Sequence, residues 1–270
     1  MTKEYFVSTP SAFLYLLDNK KCEVSDELIY GTKVFLQQKS ADGLTLIKTD
    51  YGYSGWIESD KIKPKENLNN SQKFIITSSF CDFYEYPEYR FSPLLTLVRG
   101  SIIDAVEAEC PVEKFIQLEF ENKTFFAPRK CIRKLHEMYE SDCQDKKRAQ
   151  IIKTAFSYLG TPYRWGGKTP LGIDCSGLCF MSYSICGLSL YRDAVFDRRY
   201  VKKINFDKLK PADLIYYNGH IVMYTGLGEY IHSSATLGGV KTGSFDKNSP
   251  DYYPVLSRDI VCCARSIAFE

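Results

Sequence analysis

The sequence predicts a multidomain chain in which two small all-β barrels precede one α+β domain. Three observations carry this. Over the first ~140 residues, short runs rich in Val, Ile, Tyr, Phe and Thr alternate with turn residues, the pattern of small barrels or sandwiches. A polar, aperiodic stretch containing Pro64, residues 63–71, divides that region into two parts, each long enough for one small barrel. From about residue 145 apolar residues recur at helical spacing, and β signals return only after two helical segments, the order of an α+β domain. The boundaries expected are 1–66, 67–140 and 141–270.

The β region offers strands at 33–38, 44–49, 55–57, 74–77, 101–107, 115–120 and 124–127, with a turn at Glu121-Asn122-Lys123. Its two parts end alike. Tyr53-Ser54-Gly55-Trp56-Ile57 leads into Asp60-Lys61-Ile62, and Thr124-Phe125-Phe126-Ala127 leads into Arg129-Lys130-Cys131-Ile132. Each reads as a closing strand, a short turn and a final strand, so the parts are a loose duplication. Beyond them, Ile151, Ile152, Ala155, Phe156 and Leu159 share one helical face, and Gly160-Thr161-Pro162 stops that helix. A second helix is expected over 178–186, with Cys175 at its first turn. Strands follow at 214–217, 220–225, 229–233 and 261–264, the first three joined by turns at Asn218-Gly219 and Gly226-Leu227-Gly228.

Composition excludes several classes. In 270 residues, 44% are hydrophobic and 25% charged, a soluble globular balance. A net charge of +2 gives no electrostatic reason for nucleic acid or an anionic membrane as partner. The densest basic run, Lys146-Lys147-Arg148, reads as a solvated helix start. No apolar stretch approaches the ~20 residues of a membrane span, and the N-terminus lacks a secretory pattern, so a cytoplasmic protein is expected. The ten cysteines show no CxxC pair and no regular spacing. They read as small buried hydrophobes rather than a disulfide framework or a metal centre, and no cofactor is implied.

One cysteine has a distinctive setting. Cys175 follows the turn-rich run Tyr163-Arg164-Trp165-Gly166-Gly167 and lies in Gly172-Ile173-Asp174-Cys175-Ser176-Gly177. At a helix start the dipole favours thiolate, the nucleophilic form. A cysteine nucleophile needs a base, and the base an orienting group. Of three histidines, His220 and His232 lie downstream on neighbouring strands of an expected hairpin, where both can share one sheet face. His220 then serves as base and His232 fixes its tautomer. His136 stands among Lys134, Leu135 and Glu137 and reads as exposed and structural.

These segments, with Leu209-Lys210-Pro211-Ala212-Asp213-Leu214-Ile215, His220-Ile221-Val222-Met223-Tyr224 and Ile231-His232, resemble the NlpC family of papain-like cell-wall cysteine peptidases over most of 145–270. The resemblance implies Cys175 as nucleophile, His220 as base and His232 as orienting residue, with no metal. Asp50-Tyr51-Gly52-Tyr53-Ser54-Gly55-Trp56-Ile57 is similar to the end of the bacterial SH3-like domain that precedes the peptidase in γ-D-glutamyl-L-diamino acid endopeptidases. That likeness implies peptidoglycan stem peptides or muropeptides with a free N-terminal L-alanine as substrate. Asp174 matches the aspartate that binds the amine, Ser176 a substrate-contacting serine, Tyr163 the tyrosine near the catalytic centre and Tyr53 the tyrosine of the first SH3-like domain. Glu27 is the candidate second acidic partner. Read without the family, Asp174 is a helix N-cap and Tyr53 a packing aromatic.

The chain departs from the family in carrying Ala212 where glycine often precedes the aspartate, and Arg192-Asp193-Ala194 without the usual following serine and glutamine. Two rival classes are a papain-like acyltransferase, whose histidine precedes its cysteine, and a non-catalytic wall-peptide binding protein. The order Cys, His, His argues against the first, and retention of all three residues against the second.

Overall fold

The computed structural model describes residues 4–40, 42–65, 69–138 and 143–269. The chain divides into two compact units, Met1–Tyr139 and Glu140–Glu270. The expected boundaries at 66/67 and 140/141 fall at residues outside those described.

The N-terminal unit is built on one strand order used twice. In the first half Ser54–Glu58, Leu44–Thr49, Lys33–Lys39, Glu4–Val7 and Ile62–Pro64 are neighbours in that order. In the second half Lys123–Pro128, Phe115–Phe120, Ile102–Ala108, Gln72–Ile76 and Ile132–Lys134 repeat it. All of these pairings are antiparallel. Each half ends as its sequence implies, in a strand, a 3-10 turn (Ser59–Lys61 or Arg129–Cys131) and a final strand returning to the opening one. The linker expected from residue 63 thus begins later, because Lys63 and Pro64 pair with Phe6 and Tyr5.

The halves differ in their extra hairpin. Ser11–Tyr15 and Val24–Ile29 join the first sheet through Tyr15 opposite Trp56, giving seven strands. Phe80–Phe83 and Leu95–Val98 form a separate pair, tied to the second sheet by a bridge from Tyr84 to Phe126. Among the described residues both sheets have a linear order with free outer strands, and the barrel closure expected from sequence is not seen. Each half has its own core. Val7, Leu14, Leu28, Val34, Ile47 and Ile57 form one, and a more aromatic set including Phe74, Phe83, Phe120 and Phe125 forms the other.

The C-terminal unit is α+β. Helix Gln144–Phe156 packs on helix Cys175–Ser184, which packs on the middle of a six-stranded antiparallel sheet. The sheet order is Val201–Ile204, Cys262–Ser266, Leu214–Tyr217, His220–Gly226, Glu229–Ser234, Gly239–Ser244. The second helix is buried along most of its length, so its sequence is apolar on every side. The basic run at the start of the first helix is not wholly solvated. Arg148 is 5% exposed, donates to Asp213 at 2.9 Å and lies over the Phe269 ring, while Arg265 binds the same carboxylate. Among the described residues no helix is long and apolar enough to cross a membrane.

Candidate active site

A two-strand ribbon, Lys168–Thr169 with Gly172–Ile173, delivers the chain to Asp174, the N-cap of the second helix. The Asp174 side chain accepts the Gly177 N–H at 2.5 Å, satisfying a helix-start donor. This turn has no room for a side chain at 177, since a Cβ there would overlap the Gly167 carbonyl. The ribbon is fixed to the sheet by Ser233, fully buried, whose hydroxyl donates to the Ile173 carbonyl at 2.6 Å. Ser233 lies beside His232, so one strand both holds the helix start and supplies a histidine.

Cys175 is the first residue of the helix and is 7% exposed. Its helix packs on the strand that begins at His220 and on the strand that carries His232. His220 Nε2 and His232 Nδ1 are 2.9 Å apart. With Nε2 so engaged, Nδ1 of His220 is the nitrogen left to take the thiol proton. In the tautomer that leaves Nδ1 free to accept, His220 carries its hydrogen on Nε2 and donates it to His232 Nδ1, and the His232 hydrogen is on Nε2. His232 also borders a cavity of about 300 Å³ lined in part by Tyr230, Lys241 and Asp251.

The protonation states differ from the sequence expectation of a standing thiolate. Burial, reinforced by the negative charge of Asp174, pushes the Cys175 thiol up to about 11 against the charge of Arg192. Burial pulls His220 down to about 4, and burial with the neighbouring His220 pulls His232 down to about 3. Desolvation thus outweighs the helix dipole, and the resting pair is neutral thiol and neutral imidazole. A neutral thiol and a neutral imidazole pair can pass one proton between them.

Arg192 binds the residues on either side of Cys175, and in the sequence it stood out only as the start of a departure from the family in the following loop. At 2% exposed, its guanidinium reaches both Asp174 oxygens, at 3.1 and 2.9 Å, and the Ser176 hydroxyl at 3.0 Å. Its signal in sequence was faint, because a single arginine after a helix has no periodicity to mark it as buried. Tyr163 is bridged to Ile173, and its hydroxyl is raised to about 12 by burial and then by the charges of Cys175 and Asp174. Cys175, His220, His232, Asp174, Ser176 and Tyr163 are therefore assembled together.

Glu27 and Tyr53 belong to the N-terminal unit. Glu27 is fully buried on Val24–Ile29 next to Asp26, itself fully buried and bonded by the Tyr51 hydroxyl. Tyr53 is half-buried and packs on the core of the first sheet. His136 is exposed in a 3-10 turn.

Residues 160–258 match the NlpC/P60 family. The chain is 30% identical over 258 residues to dipeptidyl-peptidase 6 of Lysinibacillus sphaericus, covering 92% of this chain and 94% of that one. It is 24% identical to a γ-D-glutamyl-L-lysine dipeptidyl-peptidase of Bacillus subtilis, covering 79% and 73% of the two chains. In fold it is similar to the crystal structure of an NlpC/P60 family protein from Bacillus cereus, with a TM-score of 0.79 and 17% identity over 97% of this chain and 99% of that one. The chain belongs to the NlpC/P60 family of peptidases and is a hydrolase.

Proposed function

We propose that the protein is a cysteine endopeptidase that hydrolyses the γ-D-glutamyl–L-diamino acid bond of peptidoglycan stem peptides, in muropeptides with a free N-terminal L-alanine. The observation that carries this is the juxtaposition of a helix-start thiol, on the helix packed against the two histidine-bearing strands, with the His220–His232 pair at 2.9 Å. The name of the Bacillus subtilis relative supports the choice of bond.

In this reading Cys175 attacks the γ-carbonyl of D-glutamate while His220 takes its proton. The Cys175 N–H at the helix start helps hold the oxyanion. His220 returns the proton to the leaving amine and then activates water to cleave the thioester. His232, accepting from His220, holds the ring in the working tautomer. A free substrate ammonium requires a buried anion, and Asp174, beside the nucleophile, provides one. Arg192 already binds that carboxylate, so the ammonium joins a network and needs further acceptors. Ser176 and Tyr163 supply them in this reading, and Glu27 and Tyr53, on the N-terminal unit, keep the substrate-binding roles that the family resemblance implies. The two expected SH3-like domains correspond in this reading to the two repeated five-strand orders.

The test is incubation of purified protein with matched muropeptides bearing or lacking a free N-terminal L-alanine, with products read by mass spectrometry. Release of L-Ala-γ-D-Glu only from the free-amine peptide supports the reading. Equal cleavage of both removes the amine requirement, and cleavage of neither removes the proposed bond.

A further inference from the structure

The cavity beside His232 has no task in the proposed reaction as described so far. Strands Glu229–Ser234 and Gly239–Ser244 supply one wall of it, and their register sets His232 opposite Lys241 and Tyr230 opposite Gly243. Side chains two apart in a strand share a face, so Tyr230, His232 and Lys241 line one surface. Segment 250–253 completes the enclosure and is tied to the edge strand. The Ser244 N–H donates to the Asp251 carbonyl at 3.0 Å, and Ser244 bridges to Tyr252. The space enclosed, about 300 Å³, suits one amino-acid side chain.

Among the described residues, three polar groups on this wall lack a partner. Tyr230 is fully buried, and its hydroxyl makes no hydrogen bond. The end of its ring lies over Gly243, where a Cβ would overlap the hydroxyl, so glycine keeps that space open. Lys241 and Asp251 are both exposed, and neither forms an ion pair, with the other or with a third group. A buried hydroxyl without a partner is costly, which points to a ligand that supplies one.

We infer that this cavity is the subsite for the side chain of the leaving diamino acid. It selects a side chain that ends in both an ammonium and a carboxylate, as in diaminopimelate, over one that ends in an ammonium alone, as in lysine. The inference rests on the proposed reaction. There His220 hands its proton to the leaving amine, which sets the leaving residue on the histidine side of the thiol, while Asp174 and Ser176 hold the acyl side. His232, 2.9 Å from His220, is where the histidine side meets the cavity. The rings of Tyr230, Tyr252 and Tyr253 take the methylenes. Asp251 pairs with the second ammonium, and Lys241 and the Tyr230 hydroxyl take the terminal carboxylate. A lysine side chain satisfies Asp251 but leaves Lys241 and the hydroxyl unpartnered, with two ammonium groups in one cavity.

The test uses the full chain and two peptides, L-Ala-γ-D-Glu-meso-diaminopimelate and L-Ala-γ-D-Glu-L-lysine, with kcat/KM for each read from the released diamino acid. The diaminopimelate peptide should be cleaved at least about tenfold better, the size of one charge-assisted contact. Lys241→Met should bring the two values to within about threefold of each other. Tyr230→Phe, which keeps the ring, should also narrow the ratio. Equal cleavage by the unaltered chain, a preference for lysine, or a Lys241→Met variant that keeps the ratio overturns the subsite and leaves the reaction standing. Cleavage of neither peptide overturns the proposed reaction itself, and the subsite with it.

Discussion

The Asp174–Arg192–Ser176 cluster and the Cys175–His220–His232 cluster both include residues at the start of one helix, and they meet burial in opposite ways. In the first, Asp174 accepts two guanidinium bonds, a backbone N–H and a hydroxyl. Each of its polar groups faces a geometric partner. In the second, burial pushes the thiol up and both imidazoles down, so every group rests neutral. A cluster saturated with charge-assisted bonds is rigid and gives the turn its shape. A neutral, lightly bonded one keeps a transferable proton. The difference teaches that the helix start does not by itself ionise Cys175, so in the proposed mechanism ionisation coincides with attack.

This contrast can be broken from either side. The largest effect is expected from His220→Ala, which removes the base; kcat/KM on the stem peptide should fall by about 10³–10⁴-fold with the fold retained. A loss below about tenfold would contradict the assigned base. Arg192→Met attacks the other cluster. It leaves the Asp174 carboxylate buried without its cation, and urea denaturation should show a stability loss of about 3–5 kcal/mol. An unchanged midpoint would mean that the network is not rigid in the way described.

The pH dependence sharpens the comparison. Both histidines have folded pKa values below the unfolded 6.5, so the unfolded state binds more protons as pH falls below 6.5. Stability from burying them neutral is fully present above about 6.5 and is lost as pH falls through about 4 and then about 3. Denaturation at a series of pH values should show a loss of a few kcal/mol over that window, and the acid limb of kcat/KM should lie near 4 rather than 6.5. A limb near 6.5 would restore a solvated histidine and refute the neutral pair.

The smallest effect concerns Ala212, fully buried at φ +71 where the family often has glycine. Ala212→Gly should stabilise the chain by about 0.5–1 kcal/mol in chemical denaturation, by relieving left-handed strain. Destabilisation would show that the methyl's packing outweighs the strain.

The legible part of the molecule is the part governed by local pattern. Leu44–Thr49, Phe115–Phe120 and Leu214–Tyr217 have the bounds their apolar runs imply, and the paired strand–turn–strand endings disclosed the repeat. Glu4–Val7, Ser11–Tyr15 and Val24–Ile29 escaped notice, because acidic and small residues mask their alternation and their pairing partners are distant. At the candidate site, Cys175, His220 and His232 could be singled out from order and residue type, and the structure packs the Cys175 helix on the strands of both histidines. Arg192 and Ser233 could not, since their value lies in contacts 16–18 and 60 residues away in sequence. The thiol's raised pKa was equally hidden, because desolvation is a property of the packed fold.

The central claim is that Cys175 is the acylated nucleophile. It is tested most directly by incubating the protein with L-Ala-γ-D-Glu-diamino acid peptide, quenching in acid and mapping the adduct by mass spectrometry. The account predicts an L-Ala-γ-D-Glu acyl group on Cys175, free diamino acid, and no turnover by Cys175→Ala. Undiminished turnover by Cys175→Ala would contradict it.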